Sequence, residues 1–187
     1  EEFRMSKRER LRQFTIDEIK TFARRQIAEN GPEALSLNGI ARQMGISGPA
    51  MYRYFSSRAE LVQAISQDAL NELLNMLSAQ AEIQTGSCTE SITQLSAAYR
   101  HWADTHFSEY LLIFSAAPVQ SSSYAAEIAQ IFSKIIGKSG PEGDLICWSL
   151  LAQLHGLVLI EGFHTATEMD KLFEHTIANF IRGMQHD

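Results

Sequence analysis

Long polar side chains follow a glycine turn in the segment GISGPAMYRYFSSRAEL, residues 45–61. They are Tyr52, Arg53, Tyr54 and Arg58. Their hydroxyl and guanidinium groups suit phosphate oxygens. The residues just ahead of them are small: Ser47, Gly48, Pro49 and Ala50. A helix that starts with small residues can lie close to base edges, with Ser47 as a hydrogen-bonding group and Ala50 against a thymine methyl. The combination predicts a nucleic-acid-binding element.

Two short helices and a tight turn are expected to hold these side chains. Ser36 can cap the first helix, and Gly45 can end it, since glycine adopts a left-handed conformation at low cost. Its apolar face comprises Leu37, Ile40, Ala41 and Met44. Ser47 can cap the second helix, with Pro49 in its first turn. Packed by a helix upstream, this is a helix-turn-helix, whose second helix lies in the DNA major groove. Ser36 joins the candidate DNA-binding residues.

The upstream helix is expected to begin at Thr15, with Glu18 completing a capping box, and to stop at Asn30-Gly31-Pro32. Its apolar residues are Ile16, Ile19, Phe22, Ala23 and Ile27. The basic segment 4–14 precedes it, with Arg4, Lys7, Arg8, Arg10 and Arg12 against Glu9. This segment is either an arm or helix extension along the DNA backbone or minor groove, or a solvated tail.

The rest of the chain also has helical periodicity, with no sustained alternation typical of strands. A capping box at Ser57 and Glu60 opens a long helix with Leu61, Ile65, Leu70, Leu73, Leu74 and Leu77. Breaks at 84–87, 117–123 and 137–143 delimit about four more helices. The last two run roughly over 142–163 and 168–184. We therefore expect an all-α protein of about nine helices, with an N-terminal domain over 1–56 and a C-terminal domain over 57–187.

Charge is divided unevenly between the two parts of the chain. The net charge is -6, but residues 1–60 carry 11 basic against 8 acidic side chains, whereas residues 61–187 carry 5 against 14. The basic end can approach phosphate while the acidic part stays away from it. No apolar run reaches the roughly 18 residues of a membrane helix, and the N-terminus does not match a secretory signal. A cytoplasmic, nucleoid-associated protein with no membrane partner is expected.

The stretch ALSLNGIARQMGISGPAMYRYFSSRAEL, with the preceding AENGPEAL, closely resembles the DNA-binding domain of the TetR family of bacterial transcriptional regulators. The resemblance covers about Thr15 to Leu61. It implies that Tyr52 contacts a backbone phosphate and that Arg58 is the basic residue opening the fourth helix. The family usually has lysine at the position of Arg58 and often histidine at that of Tyr54, so the detail of these two contacts differs here.

A dimer is expected because one short recognition helix reads only a few base pairs. The resemblance implies dimerisation through the last two long helices as a four-helix bundle. The candidate interface residues are Trp148, Leu154, Gly156, Val158, Glu161 and Gly162. Glu161 interrupts an apolar run, which is costly without a partner, so it makes either an interface hydrogen bond or a ligand contact.

An effector pocket among the middle helices of the C-terminal half is a second implication of the resemblance. Aromatic and polar residues recur every four positions at Trp102, His106, Tyr110 and Phe114, as either a core stripe or a pocket wall. His155 and Leu159 complete the candidate set. The histidines have no convincing metal-ligand spacing, so neither a metal nor a cofactor is expected.

The sequence leaves three classes of function to consider. An enzyme is not expected, because the sequence has no G-x-S-x-G elbow, no phosphate-binding glycine loop and no H-E-x-x-H motif on which catalysis could rest. A dimeric repressor that binds a palindromic double-stranded operator and is released by a small-molecule effector agrees best with the resemblance. The alternative is a DNA-binding regulator without such an effector.

Overall fold

The computed structural model of the protein describes residues 6–83, 86–115, 118–138, 140–161 and 168–186. Within these ranges every long element is an α-helix, which confirms the predicted all-α class. The helices are α1 (Lys7–Asn30), α2 (Leu37–Met44), α3 (Gly48–Met51), α4 (Arg58–Glu82), α5 (Cys88–Thr105), α6 (Phe107–Ser115), α7 (Pro118–Ile136), α8 (Gly140–Glu161) and α9 (Met169–His186). A short 3-10 turn, Pro32–Ala34, follows α1.

The chain forms two compact units, residues 1–68 and 69–187. The domain boundary predicted between residues 56 and 57 falls just before α4 and stays a proposal. In the first unit, Ile19, Ala23 and Ile27 of α1 are fully buried, with Leu61 and Ile65 of α4. An ion pair of 2.7 Å between Lys20 and Asp68 lies at its edge.

The start of α1 differs from the prediction at Thr15. Ser6 caps the helix: its hydroxyl accepts from the Glu9 amide at 3.2 Å, and the Glu9 carboxylate accepts from the Ser6 amide at 2.7 Å. Thr15 lies within the helix, where its hydroxyl donates to the Leu11 carbonyl. From Lys7 onward the basic segment is therefore a helix extension with exposed side chains, and its contact with DNA stays a prediction; Arg4 lies outside the described residues.

In the second unit, α8 packs against α5, α7 and α9. Helix α8 has the length and apolar composition to cross a membrane, but core helices of soluble proteins pass the same test. Its buried residues include Leu150, Leu151 and Leu154, which face the core of this unit. Two helix boundaries differ from expectation: α7 begins at Pro118, inside the predicted break, and an unpredicted bend at His106 separates α5 from α6.

Candidate functional site

Two serine caps and a glycine define the ends of α2 and the start of α3. The Ser36 hydroxyl accepts from the Gly39 amide at 3.1 Å, and the Ser47 hydroxyl accepts from the Ala50 amide at 3.3 Å. Gly45 ends α2 in the left-handed region, with φ 68°. All three roles were predicted, because each depends on neighbouring residues alone.

Two buried side chains anchor α3 and the turn that follows it. Met51 and Phe55 are in the core, whereas Tyr52 has 48% of its surface exposed and Arg53 is exposed as well. The small residues Ser47 and Pro49 are also exposed, while Gly48 and Ala50 are partly exposed. The candidate DNA-binding residues therefore lie on one short, capped segment whose outer surface carries both small and long side chains.

Tyr54 and Arg58 make contacts within the protein that were not predicted from the sequence. The guanidinium of Arg12, on the extension of α1, lies 5.8 Å from the centre of the Tyr54 ring. Arg58 donates to the Pro32 carbonyl at 2.6 Å and pairs with Glu33 at 3.5 Å. Because a guanidinium has five donors, these contacts leave others for a phosphate. Their role as DNA contacts stays a prediction.

A chain of hydrogen bonds lies inside the second unit, where the effector pocket was predicted. The Tyr110 hydroxyl is 2.9 Å from the Tyr99 hydroxyl and 2.6 Å from Nδ1 of His155. Burial raises the pKa of both tyrosines well above the ordinary range, so both stay protonated. Burial lowers the pKa of His155, which favours the neutral ring. When neutral His155 carries its proton on Nε2, Tyr110 donates to Nδ1 and accepts from Tyr99.

The predicted aromatic stripe is divided by the bend at His106. Phe114 lies against Tyr110 and His155, with ring centres 4.8 and 4.5 Å apart. Trp102 instead stacks on His106 at 4.8 Å. Leu159 packs on the core cluster that contains Tyr110. The structure thus brings Tyr110, Phe114 and His155 together, while their membership of a ligand pocket stays a prediction.

Glu161 has its partner within the chain. Its carboxylate accepts two hydrogen bonds from Nε of Arg100, at 2.8 and 3.0 Å, and a third from Nη2. Asp170 also accepts from Arg100, at 2.7 Å, and the guanidinium lies over the Phe173 ring. This pairing explains how a carboxylate is tolerated at the end of an apolar helix. Sequence reasoning missed it because Arg100 is 61 residues away.

The residues predicted for the interface on α8 fall on both its inner and its outer face. Leu154 and Val158 are buried in their own unit, so neither side chain is available to a partner. The exposed apolar residues of α8 are Leu145, Trp148 and Ile160. A Cβ added at Gly156, or at Gly183 of α9, would meet no other part of the described chain within 4 Å. Gly162, also proposed for the interface, lies outside the described residues.

Clusters of three or more potential metal ligands are absent from the described part of the chain. Cys88 is exposed and Cys147 is buried, and both are free thiols.

Comparison with known proteins agrees with this geometry. A family model for bacterial regulatory proteins of the tetR family matches residues 21–65, and one for a tetracyclin repressor-like C-terminal domain matches residues 92–180. The HTH-type transcriptional regulator Rv1816 of Mycobacterium tuberculosis is 29% identical over 150 residues, which cover 76% of this chain. The match spans only 64% of the length of that relative.

Solved structures have the same fold. The crystal structure of SCO4313, which is described as a regulatory protein, superposes with a TM-score of 0.79 at 30% identity and covers 94% of this chain and 98% of its own. TetR-Q116A from Acinetobacter baumannii, in complex with minocycline, has a TM-score of 0.67 at 14% identity, with 98% of both chains covered. The latter likeness concerns the fold alone.

Proposed function

The chain belongs to the TetR family of bacterial transcriptional regulators, and we propose that it is a repressor that binds a palindromic operator as a homodimer and is released by a small-molecule effector. The single observation that carries the DNA-binding part is the capped α2–turn–α3 segment, which exposes Tyr52 and Arg53 beside small residues. Long side chains that donate to DNA phosphates, beside small residues that can lie near base edges, agree with a recognition helix in the major groove.

The homodimer is supported by the outer face of α8 and α9. Leu145 and Trp148 expose 71% and 41% of their surfaces, and large apolar side chains in such a position favour an interface. Gly156 and Gly183 each lie inside a helix, where glycine costs about 1 kcal/mol relative to alanine. A side chain at either position would meet no other part of the described chain, so packing within the protomer does not require a glycine there. This supports the close approach of a second protomer at both positions.

Release by an effector is supported by the polar chain inside the second unit. Tyr110 and His155 offer a hydrogen-bonding pair against the apolar ring of Phe114, and such a combination suits a partly apolar small molecule. The related fold of the minocycline complex shows that a protein of this architecture binds a small molecule. The effector would act by differential affinity for two states of the dimer, which changes operator affinity reciprocally. We place this activity in the cytoplasm, where bacterial DNA lies.

Selection of random duplex DNA by the purified protein tests this function, followed by binding of the selected sequence over a salt series. We expect an enriched inverted repeat and affinity that falls steeply with salt. Absence of enrichment, together with absence of salt-dependent binding to bulk DNA, would contradict the proposal.

The effector is tested separately with the selected operator. A small-molecule library is screened for compounds that release it, and each hit is repeated with His155→Asn and with an exposed-site control, His101→Asn. Loss of response in the first variant alone supports the pocket. An operator that no compound releases favours the alternative, a regulator without a small-molecule effector.

A further inference from the structure

Ser96 of α5 has a buried hydroxyl that makes no hydrogen bond. The residue has no exposed surface, and its Oγ is the one buried side-chain oxygen or nitrogen of the described residues that lacks a partner. The buried hydroxyl of Ser66, by contrast, donates to the Val62 carbonyl at 3.0 Å. An unpaired buried polar group is costly and therefore rare in folded proteins. In a protein proposed to respond to a small molecule, such a group is a candidate ligand contact.

A cleft of about 410 Å³ adjoins the turn of α5 that carries Ser96. Its lining includes Ala97 and Arg100 of α5 and Phe173 of α9. Ala97 directly follows Ser96, and Arg100 lies about one turn after it, so both are neighbours of Ser96 on the helix. The volume is in the range typical of small-molecule sites. Space for a ligand therefore exists beside this part of α5.

The hydrogen-bonded chain of the proposed effector site begins on the other side of Ser96. Successive residues of a helix are about 100° apart around its axis, which puts Ser96 between Tyr99 and Arg100 on the surface of α5. The Tyr99 hydroxyl bonds to that of Tyr110, which in turn bonds to His155. Ser96 thus lies on the α5 surface between the side that lines the cleft and the side that carries the hydrogen-bonded chain.

The charges around Ser96 favour an uncharged ligand. No aspartate, glutamate, lysine or arginine is buried in the described part of the chain, where the buried polar residues are Ser66, Ser91 and Ser96. The guanidinium of Arg100 is compensated by Glu161 and Asp170, and the other titratable residues of the cleft, His101 and Asp104, are exposed. A charge brought next to Ser96 would have no unpaired counter-charge there, which is costly.

We propose that the Ser96 hydroxyl binds the effector, and that the effector is an uncharged, largely apolar molecule with a hydroxyl or carbonyl group. This inference rests on the proposed effector response and adds a contact on α5 to that site. A serine hydroxyl both donates and accepts, so either group of the effector completes the bond. The apolar part of the molecule has Ala97 and Phe173 to pack against in the cleft.

The free protein supplies the first measurement. Ser96→Ala removes an unpaired hydroxyl with little change of shape, so the denaturant midpoint should stay the same or rise. Ser66→Ala is the comparison, since it removes a hydroxyl that has a partner, and its midpoint should not rise. A lower midpoint in Ser96→Ala would show that the hydroxyl is already bonded in the free protein, and would overturn the proposal.

Four probes with the same ring supply the second measurement: toluene, benzyl alcohol, benzoate and benzylammonium. Each is titrated into the wild type and Ser96→Ala, with the chemical shifts of the protein as readout. The wild type should prefer benzyl alcohol to toluene by about fivefold, the worth of one net hydrogen bond, and should bind both charged probes at least about tenfold more weakly than benzyl alcohol. The preference for benzyl alcohol should disappear in Ser96→Ala. It should persist in the control Ser91→Ala, which changes another buried serine of α5.

The same preference in the wild type and Ser96→Ala would overturn the proposal, as would tighter binding of a charged probe or no binding of benzyl alcohol to the wild type. The operator selection and the effector screen do not depend on Ser96, so their results stand apart. A compound that releases the operator equally well from the wild type and Ser96→Ala would reject the role of Ser96 and leave the proposed function intact. If the wild type binds no DNA, the proposed function itself fails.

Discussion

The guanidinium of Arg58 donates to the carbonyl oxygen of Pro32 at 2.6 Å, which ties the first residue of α4 to the turn after α1. The same guanidinium pairs with Glu33 at 3.5 Å. The resemblance gives Arg58 a role in DNA binding, and the structure adds a role within the protein. Substitutions at this position therefore have to be measured by both stability and binding.

Arg58→Ala should weaken binding to all DNA sequences, lower the salt slope and also lower the free energy of unfolding by about 1 kcal/mol, because a hydrogen bond from a charged group is lost at a partly exposed site. Denaturant titration and binding over a salt series measure the two effects. Glu33→Gln is the matched control, because it removes the acid but keeps Arg58. It should bind DNA at least as tightly as the wild type; weaker binding would contradict the phosphate role.

Tyr52→Phe removes one hydroxyl from an exposed ring and should lower affinity for all sequences by about 1 kcal/mol. Since no charge is lost, the salt slope should stay the same, in contrast to Arg53→Gln, which should lower the slope by about 0.9 per half-site. Binding of each variant to the selected operator and to bulk DNA at four salt concentrations measures this. A change of base preference in Tyr52→Phe would assign the hydroxyl to the bases instead.

His155 should make the folded protein sensitive to mild acid. Its pKa in the folded state is lowered by burial, so below an ordinary value of 6.5 the unfolded chain binds a proton that the folded chain does not. Stability is complete above about pH 6.5 and is lost as the pH falls toward the folded pKa. A protonated ring would also have to donate at Nδ1, which reverses the hydrogen bonds of Tyr110 and Tyr99.

Denaturant midpoints between pH 5 and pH 7.5 measure this dependence. His155→Asn keeps an acceptor near Nδ1 but cannot titrate, so its stability should vary less with pH than that of the wild type. His101→Asn, which removes an exposed imidazole outside this hydrogen-bond chain, is the comparison variant. Identical slopes in all three proteins would assign the pH dependence to other groups.

Removal of the Glu161 charge should be costly, because Arg100 would lose most of its partners while only 19% of its side chain is exposed. We expect Glu161→Gln to lower the free energy of unfolding by about 2 kcal/mol. Asp170→Asn affects the same guanidinium from a side chain that is 80% exposed and should cost less than about 1 kcal/mol. Chemical denaturation ranks the two; equal costs would contradict the dominant role of Glu161.

Gly156→Leu should weaken the proposed dimer without destabilising the protomer. The position is open in the described chain, and leucine is a better helix former than glycine by nearly 1 kcal/mol. Sedimentation velocity over a range of protein concentrations should show dissociation in this variant. Substitution of the exposed Ile83, which directly follows α4, by glutamate is the control and should leave the mass unchanged. A Gly156→Leu protein with wild-type association would place the interface elsewhere.

Local signals made the helix-turn-helix predictable. The caps at Ser36 and Ser47 and the turn at Gly45 each depend on a few neighbouring residues, and the structure has all three. The start of α1 was missed although Ser6 and Glu9 have capping-box spacing, because the residues between them and Thr15 lack an apolar stripe. The capping-box signal was present, but the prediction followed the periodicity of the apolar residues instead.

Contacts between distant residues could not be predicted in the same way. The pairs Tyr110–His155 and Arg100–Glu161 are separated by 45 and 61 positions, and nothing in either local segment specifies the other. Leu154 and Val158 of α8 were also assigned to the wrong face, since a helix that is apolar all round carries no periodicity to distinguish the core side from the outer side. Packing partners decide that orientation.

At the starts of α1, α4 and α5, a serine donates hydrogen bonds to a glutamate carboxylate. Protonation of these carboxylates in acid therefore destabilises three helix starts in the same way. Hydrogen bonds from Ser6, Ser56 and Ser87 lower the pKa of Glu9, Glu60 and Glu90 from the ordinary 4.5. The stabilisation is complete above that value and is lost as the pH falls through the folded-state pKa. Below about pH 4.5, acid should therefore weaken the initial turns of these helices, which would appear as faster amide hydrogen exchange at those residues.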